Sequence, residues 1–519
     1  MKNLPIGIQT FSDFPDFNFV YVDKTELIHK MTTTGKYYFL SRPRRFGKSL
    51  LVSTLKALFE GRKELFNGLW IEDKWDWSKK NPVIHFSFDA MSYDDQGLDG
   101  AILHSLKYWA KQHGVRLSKT DYKTQFEELI QKVSKKHGKV VILIDEYDKP
   151  IMDYLEFETI GVNTQAKINQ GIMKKFYSVL KNTGDDVRFL FITGISKFSK
   201  VSLFSDLNNL DDITLDPNYA AITGYTHEEL VFYFSDFIDA TAQRLEISRE
   251  ELLELMKVWY NGYSWDGQTK VYNPFGTLKF LKQKQFMSHW FVTGMPSFLM
   301  RLMKNRVQFD VENTRINSRE LDKYDIDNLD IVPLLFQTGY LTVKSLDPMS
   351  SNMVLDYPNK EVRESMYEYM IDGITEVKQS DLYASNVLKT LLKAFAEADL
   401  DGVKTTINSL LAGLPSEAYD KKSEGLYHGL LHFIFNLLGI YIKSEVHSSK
   451  GRADSIVETA THVHIFEFKF NRSAEEAMQQ IKDKKYADAY QDSGKEIVGI
   501  GVNFVSKDKE IKGWLVENL

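Results

Sequence analysis

The chain has 519 residues, of which 43% are hydrophobic and 26% charged, and a formal net charge of −6. That profile excludes a disordered chain and indicates a soluble protein of two to four domains with ample core. So modest a charge advertises no global nucleic-acid binding, so any such site must be a local basic patch on an acidic body. Cysteine is absent, which removes disulfides, thiolate catalysis and Cys-ligated zinc together and agrees with a reducing cytoplasm.

The N-terminal stretch MKNLPIGIQTFSDFPDF holds no apolar core long enough for a signal peptide. Further on, KYYFLS reads as a short strand, and KSLLVSTLKALFEGR as a helix with an apolar stripe at Leu51, Leu55 and Leu58. PVIHFSF (82–88), KVVILIDEYD (139–148) and VRFLFITG (187–194) are further strands. Their apolar runs are unbroken, as strands covered by helices on both faces require. Alternation of strand and helix over residues 1–225 predicts a parallel three-layer α/β domain.

From Thr226 the pattern turns helical. Thr226 with Glu229, and Ser248 with Glu251, are capping-box signatures. Residues 226–345 lack strong strand signals and are expected to form a helical lid or winged-helix-like region. Residues 346–414 are expected to be a helical connector, and Leu414-Pro415-Ser416 punctuates the boundary with a smaller α/β domain over 415–519. Its most apolar run, GLLHFIFNLLGIYI (429–442), is too short to span a bilayer and is interrupted by His432 and Asn436. The expectation is a cytoplasmic chain with no membrane segment, internal repeat or low-complexity tract.

Two stretches carry chemistry. In SRPRRFGKSLL a strand runs through a turn into a helix, the arrangement that wraps backbone N–H groups and a helix dipole around an anion. Gly47 permits close approach, Lys48 can reach β- and γ-phosphates, and Ser49 can ligate Mg²⁺. Arg42 stands five positions before Gly47, where the usual phosphate loop has a glycine. Pro43 can stiffen the turn, and Arg42, Arg44 and Arg45 add positive charge where phosphates would sit. The blander alternative is a basic helix N-terminus.

VVILIDEYD then puts Asp145 and Glu146 at the tip of a buried strand, about 97 residues after Lys48. An acidic pair there is costly unless it is hydrated or holds a cation. In nucleotide hydrolases the first acid orients Mg²⁺ and the second polarises the attacking water. Loop and acids together predict binding of ATP or GTP. Thr193, ending the next strand, is a candidate sensor of the γ-phosphate, with Ser196 and Lys197 equally placed.

YVDKTELI (21–28), SRPRRFGKSLL, IDEYDKP (144–150), TGISKFSKVSLFSDLNNL (193–210) and WYNGYSW (259–265) resemble the AAA-ATPase-like bacterial proteins. The resemblance covers most of residues 1–300 and implies a nucleotide-binding P-loop fold in which an arginine-rich loop without the outer glycine is the usual form. By analogy it also implies an inter-subunit arginine finger, unassigned here, and a homo-oligomer.

The second stretch is GRADSIVETATHVHIFEFKFN (451–471). On a strand, Val463, Ile465, Glu467 and Lys469 share one face, and His464, Phe466, Phe468 and Phe470 the other. A carboxylate and an ammonium in so apolar a strand form either a buried ion pair or an active site. Asp454 offers a second carboxylate, expected from a neighbouring antiparallel strand. Asp454 and Glu467 would hold Mg²⁺ while Lys469 orients the attacking water. The arrangement resembles the PD-(D/E)xK nuclease superfamily over about residues 415–515, with "RAD" in place of the proline-aspartate pair. That resemblance places Glu424 on the preceding helix, completing the metal shell, and Gln480 on the following one.

Other signals are weaker. His428 and His432, one turn apart beyond Glu424, suggest zinc but form no H-E-x-x-H pattern. The aromatic residues of WYNGYSW and Trp290 suit packing better than base stacking. Lys469, Arg472, Lys482, Lys484 and Lys485 give the C-terminal region a local basic face, part of it simply solvated. The combined expectation is an ATPase whose nucleotide state gates or powers a Mg²⁺-dependent nuclease, acting on DNA more than RNA. The rival is a nucleotide-driven switch or partner-binding regulator whose nuclease-like domain does not cut; a further alternative is an ATP-binding regulator with a dead ATPase.

Overall fold

The computed structural model describes residues 2–93, 96–157, 164–197, 204, 207, 209–290, 311–321, 330–375, 383–412, 455–505 and 510–519. These fall into two compact units, one holding the described residues up to Val362 and the other those from Arg363 to Leu519.

In the first unit, helix α1 (Thr25–Thr34) precedes β1 (Tyr37–Ser41), α2 (Lys48–Phe59), β2 (Val83–Ser87), α3 (Gly97–Gln112), α4 (Tyr122–His137), β3 (Val140–Asp145), α5 (Lys149–Phe157), α6 (Thr164–Asn182), β4 (Val187–Gly194) and the two-residue β5 (Asp211–Asp212). All five strands pair in parallel, in the order β2-β3-β4-β1-β5. Every residue of β1 and β3 is buried, as their unbroken apolar runs require. One sheet face packs Val141, Leu143, Phe189 and Phe191 against Leu51, Leu55 and Leu58 of α2. On the other, Phe86 of β2 meets Phe126 of α4 and Phe176 of α6. This is the expected three-layer arrangement. Because β4 lies between β1 and β3, the loop after β1 and the acids ending β3 are held one strand apart at the same C-terminal edge of the sheet.

Helices α7 (His227–Tyr233), α8 (Ser235–Leu245), α9 (Arg249–Tyr260) and α10 (Pro274–Gln283) follow. Thr226 and Glu229 close a full capping box at the start of α7, and the Ser248 side chain accepts from the Glu251 N–H at the start of α9. Val20 and Val22 from the N-terminal arm join the core of this helical region, beside Leu230, Phe234 and Met256.

The expectation of a region without strands fails beyond it. β6 (Thr314–Asn317), helix α11 (Ile331–Thr338), β7 (Thr342–Leu346) and β8 (Asn352–Asp356) add an antiparallel sheet ordered β6-β8-β7. Its strands have four or five residues, buried mainly on one side, and such brief alternation is easily lost among polar residues.

Helix α12 (Lys360–Thr375) spans the boundary between the units. In the second unit α13 (Tyr383–Ala396) and α14 (Leu400–Ala412) precede β9 (Ser455–Glu458), β10 (His462–Phe470), α15 (Ala474–Asp483), β11 (Glu496–Val505) and β12 (Glu510–Asn518). The sheet runs β12-β11-β10-β9, with β10 and β11 parallel through the α15 crossover and the outer pairs antiparallel. Val463 and Ile465 pack on Met478 and Ile481 of α15, while His464 and Phe466 meet Phe395 of α13. The two faces of β10 are therefore divided as its alternation predicts. A Cβ on Gly501 of β11 would lie 2.3 Å from the Ala474 carbonyl oxygen, so α15 rests directly on strand backbone there.

Helices α13 and α14 do not merely connect. Phe395 covers one sheet face, and Asn408 of α14 accepts from the Ile511 N–H at 2.8 Å. The division thus falls near residue 362 instead of 414. A fragment beginning at residue 363 is expected to show one cooperative denaturant transition by far-UV circular dichroism. One beginning at residue 415 should lose it, having lost the helices that cover His464 and Phe466.

Candidate functional site

Residues 42–47 turn the end of β1 into α2. Arg45 has φ 66° and Gly47 φ 82°, two left-handed residues that curl the backbone ahead of the helix. Arg44 to Ser49 line a cavity of about 490 Å³, together with Glu146. The Phe46 ring is buried in T-shaped contact with Tyr263 at 4.8 Å and Trp265 at 5.5 Å. The Trp290 indole donates to the Arg44 carbonyl at 3.1 Å. The aromatic cluster of WYNGYSW thus serves as packing beneath the loop.

Lys48 is 5% exposed, and its ammonium donates to the Pro43 carbonyl at 2.9 Å. Burial pushes its pKa down, opposed by Asp145, Glu146 and Asp148. Asp145, at the tip of β3, is buried, which raises its pKa, and hydrogen bonds from the Ser49 side chain and the Glu146 N–H hold it back. Glu146 adopts φ 51°, uncommon for a residue with a side chain and stored where the surroundings over-determine it. Its carboxyl is raised to about 7, chiefly by burial, with Asp145 and Asp89 adding to the effect and Lys48 opposing it. Loop, Lys48 and Glu146 therefore converge on one cavity, with Asp145 held to Ser49, although Lys48 and the acids lie far apart in sequence.

Two expected ligands do not face it. Arg42 is fully buried; its guanidinium donates to the carbonyls of Ser41 and Thr214 at 2.9 Å and of Tyr219 at 3.3 Å, and lies 3.9 Å over the Trp265 ring. The residue in place of the outer glycine anchors the loop from below, and its charge does not meet phosphate. Thr193 is also fully buried and donates to the Leu40 carbonyl at 2.7 Å, joining β4 to β1. Its alternatives are engaged too: Ser196 donates to Asp148 at 2.6 Å, and Lys197 pairs with Asp212 at 3.0 Å.

Asp148 is the residue that sequence reasoning passed over. Its buried carboxylate also accepts from the Ile195 N–H and the Ser196 N–H, fixing the acid-bearing turn to the end of β4. The signal was available as the third acid of IDEYD, two positions beyond Glu146.

In the second unit Glu467, 2% exposed at its side chain, pairs with Lys469 at 3.1 Å. Gln480 of α15 donates to Glu467 and accepts from Lys469 Nζ at 2.7 Å. Three residues expected near one another are thus joined, with Lys469 and Gln480 both donating to the same Glu467 oxygen. Ser455 of β9 pairs with Phe466, bringing an antiparallel strand beside Glu467. Asp454, Glu424, His428 and His432 lie outside the described residues. Of the basic face, Lys482 pairs with Glu517 and Arg472 with Glu476, while Lys484 and Lys485 are exposed.

Comparison with known proteins gives these two sites their setting. Residues 5–204 match a family model described as "Predicted AAA-ATPase", and residues 422–514 match one for the PD-(D/E)XK nuclease superfamily. Over 531 aligned residues the chain is 37% identical to "Uncharacterized protein in vnfD 5'region" of Azotobacter chroococcum mcd 1, covering 100% of this chain and 99% of that one. This chain belongs to the AAA-ATPase-like family. No solved structure matches it. This AAA-ATPase-like protein combines an AAA-ATPase-like domain with one of the PD-(D/E)XK nuclease superfamily in a single chain. No described helix is long and apolar enough to cross a membrane.

Two outcomes test this geometry. Arg42→Ala is expected to lower unfolding free energy by about 3 kcal/mol in urea titration, since three buried carbonyls lose their donor. Glu146 holds its proton up to about 7 in the folded chain against 4.5 in the open one, so the folded state binds more protons between those values and stability falls as pH rises through them. Glu146→Gln should therefore melt higher than wild type above pH 7, with the gap closing toward pH 4.5.

Proposed function

We propose that this protein hydrolyses a nucleoside triphosphate at the cavity beside Lys48 and uses the nucleotide state to gate or power Mg²⁺-dependent cleavage of DNA in its second unit. The observation that carries the reading is the convergence of Arg44–Ser49 with Glu146 on one cavity, with Asp145 joined to Ser49 directly behind it.

The donor set suits a small hard cation. Ser49 supplies a hydroxyl and Asp145 a buried carboxylate, few protein ligands, as Mg²⁺ prefers when phosphates and water fill the remaining positions. A cation held there offsets charge on the phosphate oxygens. Lys48 leaves the Pro43 carbonyl for the β- and γ-phosphates. Arg44 and Arg45, both at the cavity, add positive charge to its mouth. Glu146 accepts the proton of the attacking water, a task suited to a carboxylate raised to about 7.

In the second unit, Glu467 would share a divalent cation with Asp454, and Lys469 would orient the nucleophilic water. Support comes from the nuclease superfamily match and from Gln480, which holds both side chains on the α15 face of β10. The exposed Lys484 and Lys485 offer phosphate contacts. One observation favours a second reading, a nucleotide-driven switch that does not cut: Glu467 is buried, and one of its oxygens is held by both Lys469 and Gln480.

The test is cleavage of linear, circular and single-stranded DNA with Mg²⁺ or Mn²⁺, with and without ATP, alongside measured ATP turnover. Cleavage lost in Asp454→Ala and Glu467→Gln, and an ATP response lost in Lys48→Ala by about 10²-fold or more, are the expected results. ATP turnover with no cleavage of any substrate would establish the switch instead.

A further inference from the structure

The cavity beside Lys48 extends well beyond the loop. Beyond the loop its lining comes from the N-terminal arm, at Val20, Tyr21 and Val22, and from the turn Ile222–Tyr225 leading into α7, with Leu278 of α10. These side chains carry no formal charge. The exception is Lys24, which lines the same cavity from YVDKTELI, the motif that the hydrolytic chemistry leaves unused.

Lys24 is 10% exposed at its side chain. Both Glu229 oxygens lie 2.6 Å from its ammonium, and one of them also accepts from the Thr226 N–H at the start of α7. The carboxylate is thus shared between a helix cap and an ion pair spanning 205 residues of sequence. Each partner is tied to one wall: Lys24 to the arm bearing Tyr21 and Val22, Glu229 to the turn bearing Thr223 and Tyr225. Burial alone pulls the lysine toward neutrality, and Glu229 opposes it. A buried ion pair adds little net stability over an apolar one of the same shape, but it fixes geometry, since its parts tolerate no other partner.

We propose that Lys24 and Glu229 are positioning residues for the nucleoside end of the nucleotide, locking the arm against α7 at the distance that the base and ribose fill. This rests on the nucleotide-binding reading above. The cavity then offers cationic groups at the loop, where Arg45 lies 3.8 Å over the Phe275 ring, and uncharged walls at the arm and the turn, where Lys24 is neutralised in place. A polyanion joined to a flat heteroaromatic ring has that complementarity, whereas a polyphosphate alone uses only the loop.

Full-length wild type, Lys24→Met, Glu229→Gln and the exchanged pair Lys24→Glu with Glu229→Lys are titrated calorimetrically with Mg²⁺–ATP and with Mg²⁺–tripolyphosphate. The single variants are expected to weaken ATP about tenfold and leave tripolyphosphate within about twofold, with the exchanged pair recovering part of the loss. Lys24→Arg, which keeps the charge, should stay near wild type, and Glu229→Gln supplies the ratio if Lys24→Met does not fold. Unchanged ATP affinity in both single variants would overturn the proposal. So would equal loss of both ligands with a lowered melting temperature, which marks the pair as a fold element alone. Wild type binding neither ligand would instead overturn the nucleotide reading itself.

Discussion

A guanidinium without exposed surface sits beneath the loop that follows β1. Arg42 reaches three carbonyls, those of Ser41, Thr214 and Tyr219, and stacks on Trp265. Those partners belong to β1 itself, to the segment after β5 and to the WYNGYSW cluster, so one side chain collects separate parts of the first unit at the point where an anion would be held. A phosphate loop with a glycine in this place is shaped by what its backbone can adopt. Here the shape comes from below, by hydrogen bonds that a charged donor makes roughly twice as strong as neutral ones. Burial pulls the Arg42 pKa down to about 9, which still leaves the group charged at neutral pH and able to fill all of these roles.

The two candidate sites handle the same chemical ingredients in opposite ways. Around Lys48 the Glu146 carboxyl lines a cavity, and its desolvation is left partly uncompensated, as its rise toward neutrality records. Asp148 takes the contrary part, its carboxylate satisfied by the end of β4, which lets the adjacent acid stay unsatisfied without the turn collapsing. Around Lys469 the ammonium and the amide both hold one carboxylate oxygen and are joined to each other. Backbone strain and a raised carboxyl coincide at Glu146, beside the loop.

Much of this was legible in the sequence because burial on both faces leaves an unambiguous mark. VVILID could hardly be anything but a central strand, and the alternation in VHIFEFKF put Glu467 and Lys469 on one face with Val463 and Ile465, the face that α15 covers. What stayed hidden was direction. Arg42 and Thr193 stand where functional residues are expected, yet both turn inward, and nothing in their spacing distinguishes a side chain aimed at a ligand from one aimed at a neighbouring carbonyl. The strands β6 to β8 were missed for a different reason: four or five residues with one buried face carry too little periodicity to stand out from a loop. Asp148 was overshadowed by the two acids before it, although a third carboxylate at a buried strand end always needs donors from somewhere.

Gly501 has a consequence that reaches beyond its own strand. Because no side chain stands between β11 and the first turn of α15, the helix rests on backbone, and the height of Gln480 above Glu467 and Lys469 is set by a missing methyl group on the neighbouring strand. A single added carbon at that position would act as a shim, tilting the helix and opening the polar network without altering any of its members. The second unit thus keeps its spacing in a residue that takes no part in the chemistry, and a chain could loosen or tighten this site by changing how closely a helix is allowed to lie.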